Sequence, residues 1–84
     1  MRPIDIPPAD LLDWTRWMLC LPSDRALAAL LDVAPPTLSK VRHGSQPIGP
    51  SLMVRLLEAT GVRLRDLPAL LDQTAVFWRR SCRR

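Results

Sequence analysis

Thr37, Ser39, Lys40 and Arg42 place hydroxyl and cationic groups together on the short run PPTLSKVR. Hydroxyls both donate and accept hydrogen bonds, while Lys and Arg add donors that carry charge. Such a set suits recognition of an anionic partner that itself presents donors and acceptors. It does not suit bond-making chemistry. No carboxylate pair, activated nucleophile or phosphate-cradling glycine loop can be assembled from the sequence, so an enzyme is not expected. His43, the single histidine, reads as the surface neighbour of a helix end, and Cys20 and Cys82 as free thiols without metal-ligand spacing. Neither a metal nor another cofactor is expected.

The elements that must position these groups are marked by proline, glycine and serine. A proline inside a helix costs about 3 kcal/mol but is free at the first helical position, so Pro35 and Pro36 mark a helix start. The spacing predicts a helix from Pro35 to about Arg42 with only Leu38 and Val41 inward, closed by Gly44, with residues 45–49 as loop. Before it, a helix from Asp24 to Leu31 is capped by Ser23, with Ala26, Leu27, Leu30 and Leu31 on its apolar face. An earlier helix runs from about Pro8 to Cys20. Its inner face is Leu11, Leu12, Thr15, Met18 and Leu19, with Trp14 at the core's margin and Trp17 on the outer side beside Asp10 and Asp13. After the loop, a helix from Pro50 to Thr60 buries Leu52, Met53, Leu56 and Leu57 and stops at Gly61. A fifth begins near Leu67 or Pro68. Leu70, Leu71, Thr74, Phe77 and Trp78 can extend it at helical spacing, although residues 76–78 also suit a short strand. The expected fold is all-α, a compact bundle of about five helices.

With 84 residues, of which 48% are apolar, the chain is one small domain with enough material for a single core. The opening MRPIDIPPAD holds acidic residues and three prolines where a signal peptide needs a long apolar run, and no segment approaches the length of a membrane span. The expectation is therefore a cytoplasmic protein with no membrane partner. The net charge of +4 is unevenly spread: residues 1–34 carry −2, 35–65 carry +4, 66–78 carry −2 and the last six residues +4. The basic stretch begins at the proline pair and points to an anionic partner.

Two short helices joined by a three-residue turn, the second with a thin inner face and a polar outer one, are the ingredients of a helix-turn-helix. The outward positions are Pro35, Pro36, Thr37, Ser39, Lys40 and Arg42. A helix of this kind can enter the DNA major groove, where Thr, Ser and Lys reach base edges or phosphate and a proline ring can touch a thymine methyl. The run ALAALLDVAPPTLSKVRHG, followed by SLMVRLLEATGVRLRDL, resembles the phage-repressor family of helix-turn-helix domains, of lambda repressor and Cro type. The likeness spans roughly residues 8–72. It rests on Ala28 as the small residue for close helix packing, Val33 as the apolar turn residue, Leu38 and Val41 as core positions, and Gly44 as the helix end.

That resemblance implies Pro36, Thr37 and Lys40 at base-facing positions, and Arg42, Gln46, Gly49 and Ser51 near phosphates. It also implies that one phosphate contact is either lost or replaced by backbone amides, because many members carry glutamine where this chain has Asp24. The expected function is a sequence-specific, DNA-binding transcriptional regulator, Cro-like or antitoxin-like, that binds an operator as a homodimer and sits with the bacterial nucleoid. No small-molecule substrate is expected. The alternative is a protein-interaction module that keeps the fold without binding DNA. Residues 1–72 would form the DNA-binding domain and residues 73–84 a basic tail. In that tail Phe77 and Trp78, with Trp17, are expected at the dimer interface, and Arg79, Arg80, Arg83 and Arg84 as a flexible arm on the DNA backbone.

Overall fold

Helix starts leave amides without partners, and this chain deals with them either by removing the amide or by capping it. The structure, a computed structural model, describes residues 6–81. These form α1 (Pro8–Met18), α2 (Asp24–Leu31), α3 (Pro35–Arg42), α4 (Pro50–Thr60), a single 3-10 turn (Leu64–Asp66), α5 (Leu67–Gln73) and α6 (Ala75–Ser81). The fold is an all-α bundle with no strand among the described residues. Proline occupies the first turn of α1, α3, α4 and α5. At α2 the Ser23 hydroxyl instead accepts a hydrogen bond from the Ala26 amide at 3.1 Å.

Helix ends are closed with equal economy. Asp32 takes the left-handed conformation (φ 59°) after α2, and the Val33 amide turns back to the Ala28 carbonyl at 3.0 Å. Gly44 (φ 82°) does the same after α3, with Ser45 bonded to the Lys40 carbonyl at 2.9 Å. The turn at Asp32 leaves little freedom in the α2–α3 connection, which fixes how α3 departs from α2.

One core holds the bundle together. Leu11, Leu12 and Trp14 of α1 meet Leu27, Ala28 and Leu31 of α2, Leu38 and Val41 of α3, Leu52 and Leu56 of α4, Leu67 and Leu71 of α5, and Trp78 of α6. Trp14, expected at the margin, lies at its centre with 1% of its surface exposed. Two expected core residues instead face outward: Met18 is 40% and Leu30 51% exposed. The reason is helix pairing. Contact of α2 with both α3 and α4 rotates Ala28 inward, as a small residue must for close approach, and that rotation carries Leu30 to solvent.

The C-terminal segment differs most from expectation. The spacing from Leu67 to Trp78 allows either one continued helix or a short strand at residues 76–78; the segment is helical, but Thr74 divides it into α5 and α6. Its hydroxyl donates to the Leu70 carbonyl at 2.6 Å, and its own carbonyl accepts from Phe77 at 2.9 Å and Trp78 at 3.2 Å. In a continuous helix Leu71 and Trp78 would stand about 10.5 Å apart along the axis. Because of the break, the Trp78 indole Nε1–H donates to the Leu71 carbonyl at 2.9 Å while α6 lies along α1. Trp78 is thus a core residue, 2% exposed, and not a dimer-interface aromatic. The core also crosses the boundary expected at residue 73, so α6 belongs to the bundle.

Truncating Trp78 removes both a large packed surface and the partner of a buried carbonyl. Trp78→Ala is expected to cost about 3 to 5 kcal/mol, enough to unfold so small a domain or to lower its melting temperature steeply. Thermal unfolding followed by circular dichroism measures this; a shift of only a few degrees would place the indole outside the core.

Candidate nucleic-acid interface

The surface expected to meet DNA is built on α3 and the loop that follows it. At about 100° per residue, Leu38 and Val41 define the inner side of α3, and Lys40 stands nearly opposite Leu38. The structure keeps Pro35, Pro36, Ser39 and Lys40 exposed and Thr37 half-buried, so these five make a continuous outer face. Its start offers no amide: both prolines lack one, and the Thr37 amide already donates to the Ala34 carbonyl at 2.9 Å. What this end can offer a partner is therefore side chains, namely two hydroxyls, one ammonium and the proline rings.

Gln46 and Ser51 are exposed, and Gly49, half-buried, serves as the N-terminal cap of α4. The first bond of α4 runs from the Met53 amide to the Gly49 carbonyl at 3.0 Å, so the amides of Ser51 and Leu52 precede it at the positive end of the helix. Nothing lies within 4 Å of the point where a Cβ on Gly49 would sit. Gln46, Gly49 and Ser51 thus lie on the loop and first turn of α4 that follow α3 in the chain.

Arg42 is the member of the expected set that the structure removes from this face. It is four residues from Leu38, and thus about 40° from it around the helix, on the inner side. Its Nε and Nη2 donate to Asp24 Oδ2 and Oδ1, each at 2.8 Å, and its Nη1 lies 2.8 Å from Asp13 Oδ1. Partial burial opposes the charge, but hydrogen bonds and attraction from Asp24 and Asp13 outweigh it and hold the guanidinium above its ordinary pKa. Asp24 is thus the partner of Arg42 at the start of α2. Arg16, also drawn towards Asp24 at 3.6 Å, is 9% exposed and donates from Nη2 to the Pro22 carbonyl at 2.8 Å.

Arg55 is likewise committed within the chain. From α4 its Nη1 donates to the carbonyls of Leu31 at 3.0 Å and Asp32 at 2.9 Å, covering the negative end of α2. These roles were not legible in the sequence, because Asp13, Asp24 and Arg42, or Arg55 and Leu31, are distant in the chain and follow no helical spacing. Of the cations that make residues 35–65 basic, Lys40, Arg55, Arg63 and Arg65 are exposed and Arg42 is half-buried; Arg42 and Arg55 are the two that are bonded within the fold.

The C-terminal group is divided. Arg79 and Arg80 stand on α6, a helix and not a flexible arm; Arg79 lies 5.1 Å from the centre of the Trp78 ring and 3.9 Å from Asp10. Arg83 and Arg84 lie outside the described residues. Trp17 and Phe77 stack with ring centres 5.9 Å apart and planes 11° from parallel. Phe77 remains 56% exposed, so this pair forms an aromatic ridge on the outside of α1 and α6.

No helix among the described residues is long and apolar enough to cross a membrane. Comparison with family models, with curated proteins and with solved structures finds no match.

Arg55→Ala should lower stability by about 1 to 2 kcal/mol, because two carbonyls at the end of α2 lose a charged donor. Chemical denaturation checks this. A surface arginine without such a role would change stability by less than about 0.5 kcal/mol.

Proposed function

We propose that this chain is a sequence-specific DNA-binding transcriptional regulator of the phage-repressor helix-turn-helix type, placing α3 in the major groove. The observation that carries this reading is the outer face of α3. Thr37, Ser39 and Lys40 project from a short helix whose buried side is Leu38 and Val41, and a tight α2–α3 turn presents it as a unit. Base-edge recognition needs hydroxyl and ammonium groups on such a protruding helix, and nearby Gln46, Gly49 and Ser51 suit the flanking phosphates. A single helix reads few base pairs, so the protein acts as a homodimer on two half-sites about one helical turn apart. Trp17 and Phe77 supply the apolar surface for that pairing. DNA as partner puts the protein in the cytoplasm, with the nucleoid.

The exposed aromatic ridge also favours a second reading, a protein-interaction module that has kept the fold without DNA. Salt-dependent mobility shift of a random duplex separates the two, because binding through phosphates weakens as salt rises and an interaction module gives no shift.

Selection from a random DNA pool should yield a preferred site. Against that site Thr37→Ala and Lys40→Ala should each lose about 1 to 3 kcal/mol of discrimination while melting like the wild type. Full discrimination in both variants would remove α3 from the groove. Gly49→Ala probes the phosphate side: its φ of −80° and the open space around it make alanine harmless to the fold, so weaker binding would report close approach of the DNA backbone. Phe77→Ala should shift the protein towards monomer in sedimentation without unfolding it.

A further inference from the structure

Arg42 uses every nitrogen of its guanidinium inside the protein: Nε and Nη2 on the two oxygens of Asp24, and Nη1 on Asp13. The three residues come from three helices. Asp13 is midway along α1, Asp24 opens α2 and Arg42 closes α3. Planar, paired bonds of this kind fix direction as well as distance, which an ammonium cannot do. Side-chain exposures of 22% for Arg42, 23% for Asp13 and 37% for Asp24 leave the group partly shielded from salt.

Mechanically, α3 needs such a tie. Leu38 and Val41 lie within one turn of each other, so they hold the helix against the core but resist rotation about its own axis poorly. Arg42 adds a lateral hold at the C-terminal end, on helices outside the α2–α3 turn. Rotation of α3 would move Thr37 and Lys40 together relative to a bound base pair, and contacts to base edges are sensitive to such displacement. Arg16, anchored on Pro22 and 3.6 Å from Asp24, braces the same carboxylate from α1.

We infer that Asp13, Asp24 and Arg42 are positioning residues that set the rotation of α3, and that Arg42 confers sequence discrimination through Thr37 and Lys40 instead of gripping a phosphate. This rests on the DNA-binding reading above, and two kinds of measurement keep the two apart. In binding, Arg42→Lys retains the charge but loses the paired geometry. It should reduce the preference for the selected site over a random duplex about tenfold, while random-duplex affinity and its salt dependence stay at wild-type values. Asp24→Asn should lower the preference similarly and bind random duplex more tightly, because it removes a negative charge. Wild-type discrimination in Arg42→Lys would overturn the inference. So would an Arg42→Ala protein whose salt dependence falls by about one phosphate on both duplexes, since that is the signature of a direct phosphate contact.

Amide hydrogen exchange needs no DNA. In Arg42→Lys and Asp24→Asn, protection should fall across α3 and hold in α5; unchanged protection in α3 would overturn the tie itself. If Arg42→Lys does not fold, Asp24→Asn, which removes charge without changing shape, carries both measurements. A wild-type protein that binds no duplex would defeat the functional reading, and the exchange result would still decide whether these residues hold α3.

Discussion

Leu38 and Val41 are the two α3 side chains buried in the core, and an eight-residue helix cannot persist on so small a footing alone. The rest of the bundle is arranged around supplying what α3 lacks. Its start is preformed by Pro35 and Pro36, its entry is set by the turn at Asp32, and its end is tied through Arg42 to α1 and α2. Widening the apolar face would have been the simpler stabilisation. It would also have consumed the outer positions that carry Thr37, Ser39 and Lys40. A helix that must present side chains outward is held from its ends and flank, with charge-assisted bonds replacing buried area.

This arrangement changes how the charge of the chain should be read. A basic stretch suggests cations free to meet phosphate, yet Arg42 faces two carboxylates and Arg55 faces two carbonyls. Arg16 is drawn inward as well, at a cost, because its buried Nε has no acceptor among the described residues. An unsatisfied donor in so small a protein is tolerable only if the rest of the guanidinium does useful work, here between Pro22 and Asp24. On the DNA-binding reading proposed above, phosphate contact would therefore depend less on net charge than on the cations left unengaged at the surface and on the amides that open α4.

The limits of α2, α3 and α4 were legible in the sequence to the residue, because Ser23, Pro35, Gly44, Pro50 and Gly61 act through local stereochemistry. So was the inward pair on α3, whose spacing allows no other choice. What the sequence hid depends on how helices cross. Leu30 satisfies helical periodicity yet faces solvent, since pairing of α2 with α3 and α4 favours the small Ala28 over the larger leucine; Met18, in the last turn of α1, is likewise exposed. Arg42 was misplaced for the same reason. A cation on a mostly outward helix reads as surface charge until a carboxylate from another helix is known to face it. Trp78 needed the interruption at Thr74, and threonine in a helix gives no reliable sign that it will end one.

That interruption also explains how the last helix serves both the core and the surface. Phe77 and Trp78 are adjacent, so on α6 they point about 100° apart. With Trp78 turned inward to the Leu71 carbonyl, Phe77 is left outside, where Trp17 of α1 is the aromatic close enough to stack on it. The indole bond thus orients the exposed ring. Arg79, held near Asp10 and over the Trp78 ring, follows from the same orientation, because one residue further round brings it to the edge of α1. An aromatic ridge flanked by paired charges is accordingly a consequence of how the core closes. Its geometry is set by a buried hydrogen bond and remains fixed whether or not another chain covers it.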